Sequence, residues 1–140
     1  MAARDIFHDP FVRSLTKAGW TITHDPLTLV IGKRDLLIDI GAERIVGAER
    51  NGERIAVEIK SFLNPSPVQD LKEALGQFIL YSDILAQDHT ESDRILFLAI
   101  RETSYEEIFE EPIGEVLLAN HRLRLILFDE IREEITRWIN

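Results

Sequence analysis

Residues 95–100 read Ile-Leu-Phe-Leu-Ala-Ile, apolar at every position. A strand with one wet face alternates apolar and polar residues. A run with no polar position belongs in a sheet covered on both faces, and so in a layered α/β protein. Residues 123–128 carry a second such run, interrupted by Arg124. Helical patterns precede and separate the two. Ser66-Pro67 has the form of an N-cap followed by proline at the first helical position. It should open a helix running to about Gln87, with Val68, Leu71, Leu75, Phe78 and Leu85 as the buried stripe.

The remaining elements follow from periodicity and turn signals. Phe7, Phe11, Leu15 and Ala18 recur at helical spacing, which predicts a first helix near residues 6–19, ended by Gly19. Pro10 allows two starts: Asp9 as the N-cap, or a helix begun near Asp5 with Pro10 in its early turn. Residues 20–23, 27–31, 35–41, 42–49 and 54–60 read as strands, with Asn51-Gly52 as a hairpin turn. A helical stretch over 105–119 breaks near Pro112, and residues 130–139 read as a closing amphipathic helix with Ile131, Ile135 and Trp138 inward. The sum is one domain over residues 1–140, a mixed central sheet flanked by helices.

Composition removes several function classes. There is no cysteine, which excludes disulfides, zinc fingers and thiol catalysis. No apolar segment follows the first residues as in a secretory signal, and none approaches the roughly 18 apolar residues of a membrane helix. A soluble, cytoplasmic protein is expected. No glycine-rich phosphate loop or G-x-S-x-G elbow is present. The formal net charge of -9 makes the chain a poor stand-alone DNA binder unless its basic residues segregate or a partner supplies them. Arg13, Lys17, Lys33 and Arg34 would gather near a cleft if the first helix lay over the strands. The acidic runs Glu106-Glu107, Glu110-Glu111 and Glu133-Glu134 read as solvated helix faces or as docking sites for a basic partner.

The segment Ala56-Val57-Glu58-Ile59-Lys60 combines one apolar face with a face bearing a carboxylate and an ammonium. Asp39 stands alone in the apolar run of residues 36–40, where a carboxylate is costly unless paired or bound to a metal. If the two strands are neighbours, Asp39 and Glu58 converge. Two carboxylates, with the Ile59 carbonyl, suit a hard cation such as Mg2+ or Mn2+. Lys60 would then stand beside the metal to orient water or stabilise charge on a phosphate. The plainer alternative is an exposed Glu58–Lys60 ion pair on a strand surface. Glu43 and Glu49 either extend the acidic cluster or are solvated strand ends. Asp9 is a first-helix acid for the site or a cap, and His8 faces the site or is a buried, hydrogen-bonded histidine.

These residues resemble the PD-(D/E)XK nuclease superfamily, whose pattern of an acid followed by acid-x-lysine falls on Asp39 and Glu58-Ile59-Lys60. Ile38 replaces the proline of that pattern. Gln77 and Tyr81, at i and i+4 on one helix, are similar to the Q-x-x-x-Y element of RecB-like nucleases. A closer resemblance, carried by Asp5-Ile6-Phe7-His8, residues 19–27, the IAVEIKSF of residues 55–62, and Ala74-Leu75-Gly76-Gln77 with Tyr81, is to the XisH family. That family comprises the fdxN-element excision controlling factors of heterocyst-forming cyanobacteria. The resemblance implies a restriction-endonuclease-like fold, a magnesium site at Asp39, Glu58 and Ile59, and catalytic roles for Lys60 and Gln77. It also implies substrate contacts from Tyr81 and His8, and a part in programmed DNA excision beside an XisI-like companion and a separate recombinase. Whether such proteins cut DNA, regulate excision without cutting, or act as a toxin-like nuclease restrained by XisI stays open. A homodimer is expected only if both DNA strands are cut.

Overall fold

The computed structural model describes residues 6–31, 34–35 and 45–140. In chain order these form α1 (His8–Lys17), β1 (Thr21–His24), β2 (Val30–Ile31), β3 (Arg34–Asp35), β4 (Ile45–Arg50), β5 (Glu53–Ile59), α2 (Pro67–Gln87) and β6 (Ile95–Arg101). There follow α3 (Glu102–Ser104), a π-helical turn (Tyr105–Phe109), α4 (Pro112–Ala119), β7 (Leu125–Asp129) and β8 (Glu134–Ile139). Among the described residues six strands make one mixed sheet, in the order β1-β4-β5-β6-β7-β8. Its centre, β5-β6-β7, is parallel, and β4 and β8 flank it antiparallel. β2 and β3 form a separate antiparallel pair.

The parallel centre needs crossovers, and α2 and the α3–α4 segment supply them. Both pack on one face of the sheet, where Leu71, Phe78, Tyr81 and Leu85 of α2 meet Leu96, Leu98 and Ile100 of β6 together with Ile108 and Phe109. α1 covers the other face, with Phe11 and Leu15 against Val57, Phe97, Ala99 and Phe128. β6 therefore has helices on both sides, as its unbroken apolar run requires.

Local signals explain most boundaries. Asn51 (φ 52°) and Gly52 (φ 85°) connect β4 to β5 in a two-residue turn, and both positions need the left-handed region that Asn and Gly tolerate. Ser66 caps α2 by accepting from the Gln69 N–H at 3.2 Å, and Pro67 follows it. Of the expected α2 stripe, Leu71, Phe78 and Leu85 are buried, but Val68 is 39% exposed; Ala74, Tyr81 and Ile84 complete the buried face. α1 begins at His8 after a Phe7 N-cap, so Asp9 is inside the helix and Pro10 sits in its first turn, where its missing N–H costs nothing.

One expected element is of the wrong type. Residues 130–139 do not form a helix: residues 130–133 are a turn and Glu134–Ile139 is β8, paired with β7. Phe128 pairs with Ile135 and Leu127 with Arg137, leaving Thr136 as an extra residue, a bulge. The bulge places Ile135 and Trp138 on the same side of the sheet, although residues three apart on a regular strand face opposite ways. The spacing that looked helical belongs to a bulged strand. Ile131, expected inward, is 85% exposed in the turn.

Candidate functional site

β5 pairs parallel with β6 up to Ile59–Ala99, and the Lys60 N–H extends the ladder by donating to the Ala99 carbonyl at 3.0 Å. Ile55, Val57 and Ile59 face the α1 side of the sheet, and Ala56 faces α2. Strand alternation therefore aims Glu58 and Lys60 at α2. Neither is a surface residue: Glu58 is 0% and Lys60 8% exposed. An exposed strand-surface ion pair is thus ruled out. Ionisable groups this deep are retained only with compensating partners. One partner of Lys60 is Glu73 of α2, whose Oε2 lies 3.3 Å from Nζ.

Glu73 had not been picked out from the sequence. The signal was present: Glu73, Gln77 and Tyr81 follow one another at i, i+4 and i+8 along α2. Glu73 Oε1 accepts from the Gln69 amide at 3.3 Å. Hydrogen bonds from Gln69 and then Lys60, with the charge of Lys60, hold the Glu73 carboxyl below its usual value. α2 returns antiparallel to β5 as the crossover to β6. Two strand residues span about 7 Å and four helical residues about 6 Å, so the Lys60–Glu73 contact sets Gln77 level with Glu58. Gln77 is half-buried, and its Oε1 is buried with no hydrogen-bond partner among the described residues. Tyr81, one turn further, is wholly buried in the core beside Ala56.

The loop joining β5 to α2 is fixed from both ends. Phe62 adopts φ 54°, a strained value for a bulky side chain, and is held there by burial and an edge-on contact with Phe109 at 6.4 Å. The buried Asp70 carboxylate accepts from the Asn64 N–H at 2.9 Å. Arg101, at the end of β6, donates to the Ser61 carbonyl at 3.1 Å and lies 4.4 Å above the Phe7 ring. The start of α1 is thereby drawn to the carboxyl ends of β5 and β6, where open α/β sheets place their ligand crevices. His8 is there, 1% exposed, with Nε2 2.8 Å from Asp25 Oδ2. It lies on the α1 side of the sheet, across from Glu58 and Lys60.

Other candidates fall elsewhere. Asp39 and Glu43 lie outside the described residues, as does all but Asp35 of the strand expected over 35–41. Glu49 is exposed and pairs with Arg54 in the β4–β5 ladder, four positions and about 13 Å along the sheet from Glu58, so it does not join that cluster. Arg13 and Lys17 do not gather at the site. Arg13 bonds Glu133 and Lys17 bonds the Arg132 carbonyl, both in the β7–β8 turn. Lys33 lies outside the described residues. Among the described residues no group of three or more histidines and carboxylates could hold a metal ion. Glu58 would contribute one buried carboxylate to the donor set a hard cation needs. Completing that set would call on oxygens from Asp39, Glu43 or the Ile59 carbonyl.

Fold and site together define a mixed α/β protein with a buried acid–lysine pair at the carboxyl edge of its parallel strands. The family profile described as XisH protein matches residues 1–136, and the chain belongs to that family. It is similar to the crystal structure of an XisH family protein from Nostoc punctiforme PCC 73102, at 38% identity and TM-score 0.85 over 97% of this chain and 100% of the other. It is equally similar to that of an fdxN element excision controlling factor protein from Anabaena variabilis, at 37% identity and TM-score 0.86 over 98% and 100%. A comparison with curated proteins gave no match. No helix among the described residues is long and apolar enough to cross a membrane.

Proposed function

We propose that this protein controls excision of a DNA element, as its Anabaena relative is described to do, and that it does so through a PD-(D/E)XK-type, magnesium-dependent endonuclease site. The observation that carries this reading is the burial of Glu58 and Lys60 on one face at the end of β5, with Lys60 held to Glu73 of α2, one helical turn before Gln77. Glu58, the Ile59 carbonyl and Asp39 would hold the ion. In sequence Asp39 precedes Ile45 by six residues and Glu43 precedes it by two, and Ile45 is the partner of Glu58 across the sheet. Glu43 is therefore an alternative second carboxylate. A bound Mg2+ or Mn2+ would supply a Lewis acid for the phosphoryl oxygen and would make a bound water easier to deprotonate. Lys60 places positive charge beside the scissile phosphate, and Gln77 orients water or the phosphodiester through its amide. Supercoiled plasmid incubated with Mg2+ or Mn2+ tests this. Nicking by the wild type, lost in both Glu58→Gln and Lys60→Ala, supports the reading; equal nicking by both variants defeats it.

A second reading is favoured by the net charge of -9 and by the engagement of Lys60 with Glu73. Here the same fold is a non-catalytic regulator acting with an XisI-like companion that provides the DNA contacts. Stable co-purification with that companion, with no cleavage under any divalent metal, selects this reading over the first.

A further inference from the structure

α2 buries Leu71, Ala74, Phe78, Tyr81 and Leu85 against the sheet, and its opposite side faces solvent. The centre of that outer side is the row Lys72, Gly76, Ile79 and Asp83, spaced four, three and four residues apart. All four are exposed, and Ile79 is 49% so. Leu80, at 42%, and the half-buried Leu75 flank the row.

Nothing among the described residues accounts for this row. Gly76 lies in the middle of a helix of 21 residues, yet a Cβ there would meet nothing within 4 Å. Glycine is the poorest helix former after proline, and no close approach among the described residues calls for it. Among the described residues neither Lys72 nor Asp83 has an ion-pair partner in its own chain. The row is also symmetric in chemistry. If two copies of α2 cross antiparallel about a two-fold axis level with the Gln77–Phe78 peptide, Lys72 meets Asp83 of the other copy. Ile79 then enters the space left by Gly76 of the other copy. Each contact occurs twice, as an isologous interface requires. The 4-3-4 spacing is that of a packed helix seam.

We propose that the outer face of α2 is the contact surface for a second copy of this chain, docked antiparallel with Ile79 seated over Gly76 and Lys72 paired with Asp83. This places the dimer contact on the side of α2 away from Glu58 and Lys60, and it holds whether or not those residues cut DNA.

Sedimentation equilibrium on the intact chain tests it. The wild type should show a concentration-dependent monomer–dimer equilibrium. Lys72→Asp and Asp83→Lys should each weaken dimerisation about tenfold or more, because each sets like charges opposite one another twice. The double variant K72D/D83K restores both pairs and should return to within about threefold of the wild type. Gly76→Leu should abolish the dimer while circular dichroism shows a folded helix, since the new side chain enters open space in the monomer. A wild type monomeric at every concentration overturns the proposal. So do single variants with unchanged association, or a double variant as weak as the singles.

Discussion

Lys60 Nζ lies 3.3 Å from Glu73 Oε2, joining the end of β5 to the first half of α2. The two ends of this contact differ in environment, since the Lys60 side chain is 9% exposed and that of Glu73 47%. Lys60 is thus fixed by its surroundings, while Glu73 steers only its tip. Glu73→Ala should leave the melting temperature nearly unchanged, because a pair open to solvent at one end contributes little to stability. Under the nuclease reading the same change should lower nicking roughly ten- to a hundredfold by letting the ammonium wander. Glu73→Gln, which keeps an acceptor oxygen, should recover part of the rate. A parallel fall in melting temperature and activity would show that Glu73 acts on the fold alone.

Arg94 is another buried cation, at 5% exposure, and it closes the opposite end of the sheet. Its Nη1 donates to the Ile55 carbonyl at 2.9 Å and to Ala48 at 3.3 Å, and its Nη2 donates to Thr23 Oγ1 at 3.0 Å. Its Nε bonds Glu91. Gly47 is small because the arginine runs over it: an added Cβ would come within 3.1 Å of both Arg94 Nη1 and Thr23 Oγ1. Arg94→Met should cost about 3 kcal/mol in urea unfolding, since it removes the bonds that tie β1, β4 and β5 together and leaves Glu91 half-paired. A loss below about 1 kcal/mol would mean that water replaces the guanidinium without penalty.

Much of this fold was legible in the sequence, for reasons that are local. The Asn51-Gly52 turn, the Ser66-Pro67 cap and the apolar run of β6 each state their structure within a few residues. β8 was not legible because its bulge at Thr136 depends on pairing with β7, a tertiary fact, and it gives Ile135 and Trp138 a helix-like spacing. At the site, strand parity put Glu58 and Lys60 on one face, and the structure keeps them there. Parity could not reveal that Glu73 would answer Lys60, since that depends on how α2 lies across the sheet. Nor could it show that Arg13 and Lys17 would be drawn to the β7–β8 turn, since α1 packs against β8.

Gly114 marks the tightest backbone approach. A Cβ there would lie 2.2 Å from the Ile108 carbonyl oxygen and 2.5 Å from the Phe109 Cα, so α4 seats directly on the π-helical turn. Both neighbours are backbone, so no rotamer change relieves the clash. Gly114→Ala should destabilise the protein by roughly 2–3 kcal/mol despite alanine's better helix propensity, because overpacking dominates. Equilibrium urea titration reads this directly, and a stabilised Gly114→Ala would disprove the close approach. Gly76→Ala is the internal control, since the same change on α2 meets open space.

The β7–β8 turn should set part of the acid limit of the fold. Asp129 accepts from the Ile131 N–H at 2.9 Å and the Arg132 N–H at 3.0 Å, and these backbone bonds, Arg132's first, hold its carboxyl below the ordinary 3.8. Glu133, bonded by Arg13, is likewise lowered from 4.5. For a carboxyl whose folded value is depressed, the folded state binds fewer protons than the unfolded state. Its contribution is complete above the unfolded value and lost as pH falls through the folded one. Stability should therefore be flat from neutrality to about pH 5 and decline below about pH 4. Asp129→Asn keeps an oxygen for the turn but cannot titrate, so its melting temperature should fall less steeply between pH 5 and 3 than that of the wild type. Identical slopes over that range would place the acid sensitivity in other carboxylates. A slope steeper in the variant would contradict the sign of the linkage.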